Sequence, residues 1–248
     1  MRTEKVSFKA AGGECDAYLA CPEAPGTYPG VLFYMDIFGP RDYLFEMART
    51  IAGRGYCVLL PNVFYRVRKA PLLDVRFPIL SEEDMAEVIK QVMPLREKWT
   101  PEQAMEDLAP TLEFFSKQKS VRKAPFGVTG YCMGGGLAIR AAAQMPDKFS
   151  VAASFHTGGL ATDLPNSPHL LLPKIKAELY VGHADKDRSM PADQIERFEK
   201  ALEKTDLRYE TELYKNAPHG WTMMDLPHGV PAAADRAMEK LVSLLTRV

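Results

Sequence analysis

The sequence predicts an α/β fold, a mainly parallel sheet of about seven or eight strands with helices on both faces. Three observations carry this expectation. Short runs that are apolar almost throughout, such as "GVLFYM", "YCVLLPNVF" and "PFGVTGY", recur along the chain. Strands covered on both faces read this way. Segments with apolar residues at helical spacing lie between them. From residue 31 onward the two kinds alternate, which is the order that builds a parallel sheet. At 248 residues, we expect one domain over residues 1–248.

The elements follow in order. "KVSFKA" and "ECDAYLACP" alternate apolar and polar, and the "GG" between them marks a hairpin near a sheet edge. "GVLFYM" is the first covered strand. "DYLFEMARTIAGRG" has helical spacing and ends in glycine. "YCVLLPNVF" is the second covered strand. Residues 66–100 signal less clearly. Within them "SEEDMAEVIKQVM" reads as a helix starting at Ser81, with Glu83 and Asp84 in its first turn. "TPEQAMEDLAPTLEFFSKQ" reads as one helix with Thr100 as N-cap and Pro101 first. Gln103 completes a capping box, and Pro110 is expected to kink the helix. The strand "PFGVTGY" and the helix "GGLAIRAAAQM" come next, followed by the strands "FSVAASFHTG" and "IKAELYVGHAD". The helix "PADQIERFEKALEKT", the strand "YETELYKN" and the helix "PAAADRAMEKLVSLLTRV" close the chain.

Composition narrows the function. Hydrophobic residues make up 46% of the chain and charged residues 25%, an ordinary globular balance. A net charge of −1 gives no electrostatic basis for binding nucleic acid or an acidic membrane surface. "MRTEKVSFKAAGGE" has no apolar signal-peptide core, and no run approaches ~18 apolar residues. Neither a signal peptide nor a membrane span is expected. Cys15, Cys21, Cys57 and Cys132 form no CxxC pair and have no zinc-finger spacing to histidine. Four free thiols in a reducing cytoplasm are the expectation, with no metal and no cofactor.

The chemistry centres on Gly130-Tyr131-Cys132-Met133-Gly134. It lies where an apolar strand ends and a helix begins, and ligands bind outside the carboxyl ends of parallel strands. The pattern G-x-C-x-G is the cysteine counterpart of the G-x-S-x-G nucleophile elbow. Small flanks are needed because the turn is tight and its backbone strained. The N–H of Met133 would then face a developing oxyanion, and the helix start would favour a thiolate. A structural cysteine in a glycine-rich turn is the plain alternative. A phosphate loop lacks its Lys-Ser/Thr here.

A nucleophile needs a base and a group to orient it. In elbow enzymes the acid and then the histidine follow the nucleophile in the chain. "AELYVGHADKDRSMP" brings Asp185 and Asp187 to a strand end, and "YETELYKNAPHGW" brings His219 to a loop before the last helix. Of the other histidines, His156 ends a strand and suits either a pocket wall or the core. His169 and His228 read as loop residues and His183 as structural.

With these motifs in place, the chain resembles the dienelactone hydrolase family of α/β hydrolases over about residues 5–247. "GYCMGGG" is similar to that family's nucleophile motif, "ADKDRSMP" to its acid loop and "HGW" to its histidine motif. The resemblance implies a Cys132–His219–Asp187 triad and a thioester intermediate. The family spacing of four residues to Pro191 selects Asp187 over Asp185. "YMDIFGPRDYLFEMARTIAGRGYCVLLPNVFYR" resembles the first oxyanion loop. It implies the backbone N–H groups of Ile37 and Met133 as the oxyanion hole. Asp36 stands where relatives often carry a glutamate that contacts the resting nucleophile, and its other role would be to cap the turn.

Phe38, Tyr65 and Trp221 are expected with Asp36 in the substrate pocket. Family enzymes hold a substrate carboxylate with arginines, one soon after the histidine, and "HGWTMMDLPHG" has none. Arg66 and Arg68 are possible substitutes. A less acidic ester or lactone fits this departure better. The expected partner is therefore a small-molecule ester or lactone, bound by a monomer or homodimer. A non-catalytic binding protein on the same fold and a redox thiol protein are the competing readings.

Overall fold

Chain order places the hairpin first. β1 (Arg2–Ala10) and β2 (Gly13–Cys21) pair antiparallel. β2 then pairs antiparallel with β4 (Cys57–Pro61), and β4 lies parallel to β3 (Gly30–Tyr34). β5 (Phe126–Tyr131), β6 (Phe149–Phe155), β7 (Glu178–Lys186) and β8 (Tyr209–Pro218) follow as parallel neighbours. The computed structural model, which describes residues 1–248, thus holds one eight-stranded sheet in the order β1-β2-β4-β3-β5-β6-β7-β8. β3, β4 and β5 are buried at every residue, as their uninterrupted apolar runs require.

The helices are α1 (Asp42–Ala52), α2 (Glu82–Glu97), α3 (Pro101–Glu106), α4 (Leu108–Ser116), α5 (Met133–Gln144), α6 (Ala192–Leu202) and α7 (Pro231–Leu245). They cover both faces. Gly127 of β5 packs against Leu245 of α7, while Gly130, three residues on and so on the other face, packs against Gly134 of α5. Ser81 caps α2 by accepting the Asp84 N–H. Thr100 and Gln103 form the expected capping box.

Two expectations are corrected. The segment around Pro110 is two helices, α3 and α4, that meet at Asp107. Pro110 has no N–H to give the Glu106 carbonyl, so the helical ladder is interrupted one turn earlier than a kink at Pro110 would place it. Second, Cys21 and Cys57 are not free. They form a disulfide with Cα atoms 4.3 Å apart. The register Ala20↔Val58 sets these two residues opposite each other at the next position. That register is invisible at a sequence separation of 36. Cys15 and Cys132 are free. The expectation of a reducing compartment used four free thiols and loses that support. No helix is long and apolar enough to cross a membrane.

Candidate active site

Because β3 to β8 are parallel, their carboxyl ends share one edge, and the strand order reverses between β3 and β5. That switch point is where such sheets bind ligands. Residues 35–41 follow β3, Cys132 follows β5, His156 follows β6, Asp187 follows β7 and His219 follows β8. All converge there.

Cys132 links β5 directly to α5 with φ 54° and ψ −122°, a left-handed conformation that costs a non-glycine residue about 1–3 kcal/mol. The flanking glycines make the turn possible. A Cβ on Gly130 would lie 2.0 Å from the Gly134 carbonyl oxygen, and one on Gly134 would lie 2.4 Å from the carbonyl oxygens of Tyr34 and Met35. The sulfur therefore stands at the rim on a locally strained hinge that two strands and a helix pin in place.

His219 Nε2 lies 3.0 Å from Cys132 Sγ, and its Nδ1 lies 2.6 Å from Asp187 Oδ2. Ser189 completes the arrangement. Its N–H and hydroxyl donate to Asp187 Oδ1 at 2.8 and 2.6 Å, and its oxygen stands 3.3 Å from His219 Nδ1. Burial opposes charge on the His219 ring, but Cys132 and Asp187 beside it favour the charged form, and its pKa is pushed up to about 10. Burial also raises the Asp187 carboxyl. Its bonds to His219 and Ser189 outweigh that and hold it below the ordinary value. Asp185 is elsewhere: it is exposed, and its carboxylate accepts the Asn216 N–H at 3.0 Å.

The 37–39 turn brings one further group to the rim. The Phe38 N–H goes to Asp36 Oδ1 at 2.9 Å and the Gly39 N–H to the Asp36 carbonyl at 3.3 Å. The Ile37 N–H has no acceptor within the protein. Met133 opens α5, so its N–H precedes the first intrahelical bonds.

A cavity of about 760 Å³ opens on this edge, bordered by Asp36, Ile37, Phe38, Cys132, His156 and His219. Met85 and Ile89 of α2, with Met223 and Leu226, give it apolar walls. Lys186 and Arg188, on either side of Asp187, border it too, and neither forms an ion pair. His228 also reaches the cavity, 3.4 Å from Glu82.

Several expected pocket residues lie elsewhere. Tyr65 donates its hydroxyl to Asp107 and accepts the Gly12 N–H, away from the cavity. Trp221 is fully buried, stacked on Tyr214 at 4.6 Å and edge-on to His156 at 4.9 Å. Both are core aromatics, as strand-end aromatics often are. Arg66 pairs with Asp107 and Glu106, and Arg68 with Asp74. Asp36 borders the cavity, but its carboxylate is held by Arg41 through two bonds of 2.7 and 2.8 Å. It caps its turn. The roles of Ser189, Arg41 and α2 left no readable signal, since each depends on contacts distant in sequence.

The chain is similar to known proteins over nearly its whole length. The model of the dienelactone hydrolase family matches residues 15–248. A Rhodococcus opacus carboxymethylenebutenolidase is 24% identical over 235 residues, covering 93% of this chain and 85% of its own. A Synechocystis sp. protein, whose carboxymethylenebutenolidase name is provisional, is 26% identical over 248 residues, covering 98% and 96%. A Klebsiella pneumoniae crystal structure, provisionally named a dienelactone hydrolase, superposes with a TM-score of 0.85 at 20% identity over 100% of this chain and 99% of its own. The fold is that of the α/β hydrolases, and the chain belongs to the dienelactone hydrolase family.

Proposed function

We propose that the protein cleaves carboxylic ester or lactone bonds of small molecules by acyl transfer to Cys132. Its family makes it an ester-bond hydrolase. The observation that carries the cysteine mechanism is His219 standing 3.0 Å from Cys132 Sγ and 2.6 Å from Asp187. His219 takes the Cys132 proton before attack, as its raised pKa favours, and the resulting thiolate attacks the carbonyl carbon. Negative charge then develops on the carbonyl oxygen, and the N–H groups of Ile37 and Met133 bind it. Each donor is worth about 3–4 kcal/mol. Collapse expels the alcohol, which takes the proton from His219 and leaves a thioester. For a lactone the alcohol stays tethered to the acyl group. His219 then activates water, and hydrolysis frees the acid and restores the thiol. Asp187 fixes the imidazole tautomer and stabilises its charged form.

The cavity supports a small substrate with an apolar body, because its volume lies within the range of small-molecule sites. Lys186 and Arg188 leave room for an acidic substituent that the missing arginine after His219 argued against. A redox role lacks a resolving partner. Cys21 and Cys57 pair with each other, and Cys15 is buried beside the Asn62 carbonyl.

The test is hydrolysis of p-nitrophenyl acetate by Cys132→Ala and His219→Ala. Both should lose the burst and the turnover. Cys132→Ser, with the same base beside it, should retain a residue of activity. Wild-type rates in both alanine variants would discard the triad.

A further inference from the structure

We infer that Arg41 is a positioning residue, a buried clamp that sets the Ile37 N–H at the point where an oxyanion forms. The inference rests on the acyl-transfer reading above and names a residue that reading does not use.

Arg41 is 7% exposed, Asp36 1% and Asp225 7%. The guanidinium holds both carboxylates. It reaches Asp36 with Nη1 and Nη2 at 2.7 and 2.8 Å, and Asp225 with Nε and Nη2 at 2.6 and 3.1 Å. It also reaches the Gly39 carbonyl at 3.3 Å and Met223 Sδ at 3.6 Å, and its face lies over the Phe77 ring at 5.1 Å. Three segments meet on this one side chain: the turn after β3, the loop that runs on from His219, and the stretch before α2. Ile79 ties in by donating its N–H to the Asp225 carbonyl at 2.9 Å.

Stability does not explain the cluster well. Replacing a buried ion cluster with apolar groups is often neutral or stabilising. What the cluster does uniquely is immobilise the peptide on each side of Ile37. On one side Asp36 is clamped by its carboxylate; on the other, Phe38 and Gly39 are hydrogen-bonded back to Asp36 while Arg41 draws in the Gly39 carbonyl. The Ile37 N–H is left as the free amide of the turn, in a fixed orientation. An oxyanion hole needs such fixed donors. His219 has separate supports in Asp187 and Ser189, so the clamp acts chiefly on the oxyanion side.

Two reactions of Cys132 separate these effects. Acylation by p-nitrophenyl acetate develops an oxyanion; alkylation by iodoacetamide does not. Arg41→Lys keeps a charge but loses the two-sided fork. It should slow the acylation burst at least tenfold and leave alkylation within twofold of wild type. Asp225→Asn preserves shape, lies outside the oxyanion turn and should show the same selective loss, more weakly. It carries the test if Arg41→Lys does not fold. Parallel losses in both reactions, or no loss in either, would overturn the inference. Wild-type turnover of p-nitrophenyl acetate by Cys132→Ala would instead overturn the acyl-transfer reading.

Discussion

The glycines after Cys132 offer a direct probe of the elbow, and Gly134→Ala is the decisive one. A Cβ at Gly134 would sit 2.4 Å from the carbonyl oxygens of Tyr34 and Met35, about 1 Å inside ordinary contact. Those atoms are backbone and cannot swing aside. Either α5 or the end of β3 must move, and Met133 is on the first and Ile37 just beyond the second. Overpacking of this kind costs about 1–3 kcal/mol of stability. Donors serve an oxyanion only within about 2.7–3.1 Å. A shift of about 1 Å parts the two N–H groups and should lower kcat about 10²–10³-fold, the effect of losing one donor. Gly136→Ala is the internal control. Its Cβ would meet only Thr157 Cγ2 at 3.7 Å, so kcat should hold while helix propensity adds up to ~1 kcal/mol. The assays are steady-state hydrolysis of p-nitrophenyl acetate and urea unfolding. Wild-type kcat in Gly134→Ala, or equal damage from Gly136→Ala, would refute the close-approach argument.

The remaining predictions concern the acid, the core and the cysteines. Asp187→Asn should lower kcat by about 10⁴ through the wrong imidazole tautomer, while Asp185→Asn, which touches only the Asn216 N–H, should leave kcat unchanged; comparable losses would reopen the choice. His183 is buried with neither ring nitrogen partnered, and burial lowers its pKa to about 4. The unfolded chain binds that proton near pH 6.5 and the folded one does not, so stability falls as pH drops from about 6.5 to 4. Between pH 7 and 5 wild type should lose about 2 kcal/mol more than His183→Leu in urea titrations, and equal losses would refute the assignment. Oxidised, denatured protein should titrate two thiols, those of Cys15 and Cys132. Reducing the Cys21–Cys57 bond, which closes a separation of 36 residues, should cost at most about 4 kcal/mol. Four titrating thiols would refute the pairing.

The amino-acid sequence by itself determined the parallel sheet and the place of the elbow, because both follow from local rules. Short continuous apolar runs bounded by turn signals read as strands covered on two faces, and small residues on both sides of Cys132 permit a tight turn. It also placed Asp187 and His219 on loops at strand ends. What brought those loops to one rim was the shared direction of β5, β7 and β8.

Side-chain direction and strand register belong to the tertiary structure alone. Trp221 and Tyr65 carried the composition of a pocket wall, yet their backbone positions turn them into the core. Met85 and Ile89 of α2 supply the wall instead, although nothing local distinguishes a helix over a site from one over solvent. Cys21 and Cys57 met because an antiparallel register set them opposite each other. Arg41 found Asp225, 184 residues away, because burying a guanidinium demands partners wherever the fold can bring them. Contacts of that separation are chosen by packing, which short stretches of sequence do not record.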